Sequence, residues 1–183
     1  MNRAAFGDAD ESVVRLTDRL ATDHVSVNWY RLPSGDGFPS GLHAHADQEE
    51  VFVVVAGVAR FETLDGDVRV EAGEAVRFAP GEFQTGENAG DDPLVALALG
   101  APRDSDDVRV PATCPDCGTN SLRLDTADGL SFVCPDCDAE HTPAPCPDCE
   151  SDQLAFTTDD EKDPVVECAD CDARFADAPL ADK

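Results

Sequence analysis

Residues 37–57 read GFPSGLHAHADQEEVFVVVAG, running from Gly37 through His43, His45 and Glu50 to Gly57. His43 and His45 are two apart, so on an extended chain both imidazoles leave the same face. The apolar run Val51–Val55 predicts a strand, and strand parity sorts Glu50, Phe52 and Val54 onto one face and Glu49, Val51, Val53 and Val55 onto the other. Two imidazoles and a carboxylate converging inside a barrel form the facial arrangement that suits Fe(II) and related divalent metals. The same residues on an exposed strand would be paired surface histidines, and the spacing alone leaves both readings open.

Working outward, the apolar pattern on either side keeps a period of two. Val25, Val27 and Trp29 alternate with polar residues, Asp65-Gly66 is a hairpin signal, Val68 and Val70 alternate, and Leu94–Leu99 closes the segment. Short strands punctuated by glycine predict an all-β sandwich or small barrel, and the missing βαβ rhythm excludes a dinucleotide-binding fold. Before residue 22, Val13, Leu16 and Leu20 predict one face of a short helix, with Asp8 or Asp10 as its cap.

With these residues in view, the pattern Gly37, five residues, His43-Ala-His45, four residues, Glu50, six residues, Gly57 resembles the first motif of the cupin family. The stretch Gly73-EAVRF-Ala79-Pro80-Gly81-EF-Gln84-TGE-Asn88 resembles the second, with the proline displaced by one and Gln84 standing where the family has its third histidine. The resemblance implies a small antiparallel jelly-roll (cupin) barrel with a site in its mouth. It also implies His43, His45, Glu50 and Gln84 as ligands for one divalent metal (Fe, Mn, Ni or Zn), weakened by the neutral Gln84 oxygen. The six-residue gap to Gly57 selects Glu50 over Glu49. Val51, Val53 and Val55 then face outward, which predicts cover from the N-terminal segment or from a second copy in a homodimer.

All eight cysteines lie between residues 114 and 171. Cys114-x-x-Cys117 and Cys134-x-x-Cys137 are separated by sixteen residues, Cys146-x-x-Cys149 and Cys168-x-x-Cys171 by eighteen, and the two units repeat at an offset of 32 to 34. Two such knuckles supply four thiolates to one tetrahedral ion. Both units resemble zinc ribbons, so two structural zinc ions are expected, paired within each repeat. Rubredoxin-like iron at the same ligands stays open, since Cys117-Gly118 matches its knuckle. A closed four-thiolate site has no free position for catalysis; it supplies folding energy to segments too short for a core of their own.

The chain has 183 residues and carries 39 acidic against 13 basic side chains, a formal charge of −26. With 27 Asp and only 2 Lys, the composition reads as adaptation to a salt-saturated cytoplasm. The charge argues against nucleic acid or an anionic membrane as partner. The N-terminus MNRAAFGDADESVV lacks an apolar signal region, which predicts a cytoplasmic protein. The expected organisation is an N-terminal helix or arm (1–21), the barrel (22–100), an exposed acidic linker (101–112), two zinc ribbons (113–143 and 144–176) and a tail (177–183). The expected function is binding of a small molecule and metal in the barrel, with ribbons that contact a protein. The alternatives are a metal-dependent oxygenase, isomerase or decarboxylase, and a metabolite-sensing regulator or scaffold.

Overall fold

The computed structural model describes residues 1–6 and 11–181. Its first half contains β1 (Val13–Arg15), α1 (Leu16–Leu20), β2 (Ser26–Leu32), β3 (Ala44–His45), β4 (Glu49–Ala56), β5 (Val58–Thr63), β6 (Gly66–Glu71), β7 (Ala75–Phe78), β8 (Gln84–Asn88) and β9 (Leu94–Ala101). Its second half contains β10 (Val108–Val110), β11 (Leu122–Asp125), β12 (Ser131–Val133), β13 (Glu140–His141), β14 (Leu154–Thr158), β15 (Pro164–Cys168) and β16 (Arg174–Phe175). The expected all-β class is the observed one.

Two sheets face each other to make the barrel, one in the order β1-β2-β9-β4-β7 and one in the order β6-β5-β8. The parity read from the sequence holds along β4, where Phe52 and Val54 are buried and Val55 is 56% exposed. Phe52 joins Phe38, Phe61 and Phe78 in a ring cluster with centroids 4.8–6.0 Å apart. Each fully buried ring of this kind contributes roughly 1.5–3 kcal/mol. Gly86 makes room for the cluster, because a Cβ there would sit 2.7 Å from the Phe61 ring. Gly57 turns β4 into β5 at φ +80°, and a Cβ there would sit 2.9 Å from Leu94 Cα and from Pro93 O.

The outer face of the larger sheet is covered in part by the N-terminal segment. Val14 and Leu16 bury themselves with Trp29, and Val27, Val95 and Leu97 pack around them. The helix expected through Val13, Leu16 and Leu20 is only Leu16–Leu20. Val13–Arg15 instead pairs with β2, setting Val14 opposite Trp29. Strand pairing wins there because it places Val14, not Val13, against the indole and satisfies the backbone of an otherwise unpaired sheet edge. The helix N-cap is Arg15, without a side-chain cap bond; the capping residues expected at Asp8 and Asp10 lie outside the described residues.

The stretch expected as an exposed linker is built into the sheet system. β10 pairs with β3 of the barrel on one side and with β11 on the other, giving the continuous order β13-β12-β11-β10-β3. Val110 and Ala112 are buried with Cys114, Leu122, Phe132 and Cys134. The second cysteine unit, β14-β15-β16, lies against the barrel. Leu42 N donates to Phe156 O at 2.7 Å, and Thr157 Oγ1 and Thr158 N both donate to Glu62 Oε1, at 2.9 and 2.7 Å. The expected tail is also fixed through Ala181, since Ala144 N donates to Pro179 O and Ala181 N to Thr142 O. Among the described residues no helix is long and apolar enough to cross a membrane.

Candidate metal centre

His43 and His45 enter the barrel mouth because their backbone is pinned on both sides. His43 exchanges two hydrogen bonds with Gln84 (3.1 and 2.9 Å), and His45 O accepts from Gly81 N at 2.9 Å. On the other edge, β10 sets Val108 opposite His45, and Ala46 N donates to Asp107 O. Glu50 opens β4 on the inward face. Ligand atoms of His43, His45 and Glu50 all lie within 4.8 Å of one another, and the two imidazoles meet edge to face with centroids 5.1 Å apart.

The hydrogen bonds behind the rings decide which nitrogens face the site. His43 Nδ1 lies 2.8 Å from Gly41 O. A carbonyl only accepts, so Nδ1 carries a proton, and the neutral form of the ring turns the lone pair of Nε2 to the site. His45 Nδ1 lies 2.9 Å from Ser105 Oγ, whose own proton goes to Asp47 Oδ1 at 2.5 Å. The Ser105 oxygen therefore accepts from Nδ1–H, and the His45 Nε2 lone pair is turned toward Glu50 Oε2 at 3.7 Å. Burial holds the His45 ring below its ordinary value against the pull of Glu50, which keeps it neutral. Burial pushes the Asp47 carboxyl up, but its bonds from Ser105 and from backbone amides outweigh this and keep it ionised. Two nitrogen lone pairs and a carboxylate thus converge with no donor among them. Such a set fits a divalent cation, and the carboxylate–hydroxyl–imidazole chain is the kind of outer support that fixes a metal-binding histidine.

Gln84 is 3% exposed and donates Nε2 to Glu50 Oε2 at 3.0 Å. In this arrangement it orients the carboxylate, where the sequence reading had placed its oxygen among the ligands. Above the triad opens a cleft of about 760 Å³, lined among others by Tyr30, Asn28, Phe38, Arg15, Arg103 and Ser105. Burial and the nearby Glu50 carboxylate push the Tyr30 hydroxyl above its ordinary range, against the opposing pull of Arg15. Tyr30 therefore stays a proton donor at the cleft wall. The sequence reading missed Asp47 and Ser105, which come together over 58 residues and carry no local motif.

The eight cysteines gather as Cys114, Cys117, Cys134 and Cys137 in one tetrad and Cys146, Cys149, Cys168 and Cys171 in the other. The four knuckles share one backbone form. In each, the amide after the second cysteine bonds back to the carbonyl of the first, and that residue (Gly118, Asp138, Glu150 or Asp172) has φ between 57° and 82°. Only the first uses glycine; each of the others accepts about 1–2 kcal/mol of left-handed strain. Crowded sulfurs cannot share charge without a cation. Hydrogen bonds with the Thr119 hydroxyl and backbone hold Cys117 down to about 6. Cys137, despite a backbone bond at Ala139 that lowers it, is pushed up to about 12 by the Cys117 sulfur.

A family model described as Cupin domain matches residues 28–100. Among solved structures, a sugar phosphate isomerase from a cupin superfamily, from Silicibacter pomeroyi, is 22% identical. That match covers 69% of this chain and 77% of the other, at a TM-score of 0.52. A cupin protein from Bacteroides fragilis is 26% identical over 56% of this chain and 86% of its own, at a TM-score of 0.49. No curated protein matches the chain. The residues that the Cupin domain model matches, 28–100, include His43, His45 and Glu50 and most of the barrel strands that bring them together.

Proposed function

We propose that this chain binds a small molecule at a divalent-metal centre held by His43, His45 and Glu50, and that its two cysteine tetrads hold structural zinc. The observation that carries the reading is the convergence of two fixed Nε2 lone pairs and a carboxylate. When bound, the metal would supply Lewis acidity and a site for a ligand oxygen. The chain's own groups orient it: Gln84 steers Glu50, Ser105 and Gly41 set the two rings, and Tyr30 holds a proton at the wall. The zinc modules act as clamps on the barrel, since β10 and β14 both contact it. Tyr30 also favours a second reading, a metal-dependent isomerase or related enzyme, because it is a protonated group beside the cleft.

A metal inventory on protein purified without chelator or nickel resin tests this. About two zinc and up to one further divalent ion per chain are expected. His45→Ala should remove only the further ion, and Gln84→His, which supplies an imidazole, should raise affinity for Ni(II) or Zn(II) roughly ten- to a hundred-fold. Metal content indifferent to His45→Ala, together with unchanged affinity in Gln84→His, would overturn the proposed centre.

A further inference from the structure

Two guanidinium groups at the cleft are only weakly engaged by carboxylates of the fold. The chain has three times as many acidic as basic residues, and its arginines are mostly taken by carboxylates: Arg60 by Glu87, Arg77 by Glu49, Arg109 by Asp107, Arg174 by Glu167. The Arg15 guanidinium lines the cleft and makes no ion pair or hydrogen bond among the described residues. Arg103 lines the same cleft. Its Nε is buried without a hydrogen-bond partner, and its one carboxylate neighbour, Asp104, stands 3.6 Å away with a side chain 79% exposed.

Both arginines sit on well-anchored backbone. Arg15 closes β1, paired with Asn28 of β2. Arg103 sits on the loop between β9 and β10, which is tied down at several points. Gln48 Nε2 donates to Pro102 O at 2.6 Å, and Asp47 accepts from Ser105 Oγ and from Asp106 N. With the backbone already ordered, only side-chain freedom is lost when a ligand engages these groups. The remaining charged groups of the lining are Glu50, which faces the histidines, and Asp104 and Asp106 at the rim. With a divalent cation on Glu50, the lining carries a net positive charge in a molecule of −26. Asn28 and Tyr30 add neutral donors to the same wall.

We infer that the cleft takes a small, oxygen-rich anion bearing a carboxylate or phosphate, its charged group held by Arg15 and Arg103 and its remaining oxygens directed to the His43–His45–Glu50 triad. This rests on the metal-centre reading for the triad contact and for the net positive lining; the contact with the two arginines stands without it. Planar guanidinium donors match both oxyanions, and neither is matched by a neutral sugar.

The test uses three probes on one carbon skeleton: gluconate, glucose 6-phosphate and glucose. Binding to the full chain is measured by titration calorimetry at constant ionic strength, in wild type, Arg15→Gln and Arg103→Gln, with the metal content of each recorded. At least one anion should bind about tenfold tighter than glucose, and each substitution should weaken it by about tenfold with metal content unchanged. Gluconate binding alone assigns a carboxylate ligand, glucose 6-phosphate alone a phosphate. Equal binding of glucose, anion binding indifferent to both substitutions, or no binding of any probe at millimolar concentration overturns the inference. Arginine-dependent anion binding in a protein that holds no metal at the triad would uphold it and overturn the metal-centre reading instead.

Discussion

His141 places its Nε2 3.5 Å from the Sγ of Cys114, an approach that Phe175, its counterpart one repeat later, cannot make. Both residues end the third strand of their unit, His141 opposite Phe132 and Phe175 opposite Val166. The two tetrads are alike in backbone and differ in this contact, in which a Cys114 thiolate can only accept.

An N–H donated to a thiolate spreads its charge and lowers its reactivity toward oxidants. Zinc release under hydrogen peroxide, followed with a zinc-binding dye, should therefore show two phases, the slower one from the Cys114 tetrad. In His141→Phe the slow phase should quicken severalfold toward the fast one. Identical kinetics in the variant would mean that the 3.5 Å contact does not protect the sulfur.

Tyr30 is the only tyrosine in the chain, so absorbance at 295 nm reports its ionisation alone. Its folded value is raised, by burial first and Glu50 second. The folded state therefore keeps a proton that the unfolded chain loses near pH 10. The stability this contributes is fully present below about pH 10 and is lost as pH rises through the folded value. The native midpoint should exceed that measured in guanidinium. Arg15→Gln should raise it further and Glu50→Gln should lower it; a native midpoint equal to the denatured one contradicts the placement of Tyr30.

Gly41 has no room for a methyl group. A Cβ there would stand 2.7 Å from Phe156 O and 3.1 Å from Phe156 N, both backbone atoms that cannot swing aside. Gly41→Ala should lift β14 from the barrel at a cost of about 1–3 kcal/mol. Hydrogen exchange should speed up across residues 154–158, together with a lower melting temperature. Unaltered exchange there would show that the second cysteine unit does not depend on this contact.

The charge of −26 predicts a dependence on salt. In molar KCl the Debye length falls to about 3 Å, which removes most repulsion between exposed carboxylates. Far-UV circular dichroism should show structure in molar KCl and its loss on dialysis to low salt. A melting temperature that stays constant across that range would contradict the salt-adapted reading.

The triad and both tetrads were legible because each rests on short spacings: one residue between the histidines, two between the cysteines of a knuckle. Alternation likewise marked β2 and β6, and unbroken apolar runs marked β4 and β9. The misread pieces are those whose structure is imposed from a distance. β10 is three residues long within an acidic stretch, and it is a strand because β3 and β11 offer edges on both sides. Val13–Arg15 has a helical spacing that pairing with β2 overrides. Ser105, Asp47 and Arg103 carry no motif, since their meaning comes from where the β9–β10 loop closes over the cleft.

The continuous sheet from β13 to β3 also sets a timetable for synthesis. A nascent chain complete through Ala101 already contains His43, His45 and Glu50, yet it lacks Ser105, which sets the His45 tautomer, and β10, which borders the His45 strand. The barrel can collapse at that point around its phenylalanines with one imidazole still free to turn. Final shaping of the centre waits for the loop and for the first cysteine unit that anchors β10, so the ribosome delivers the ligands well before it delivers the residues that fix them.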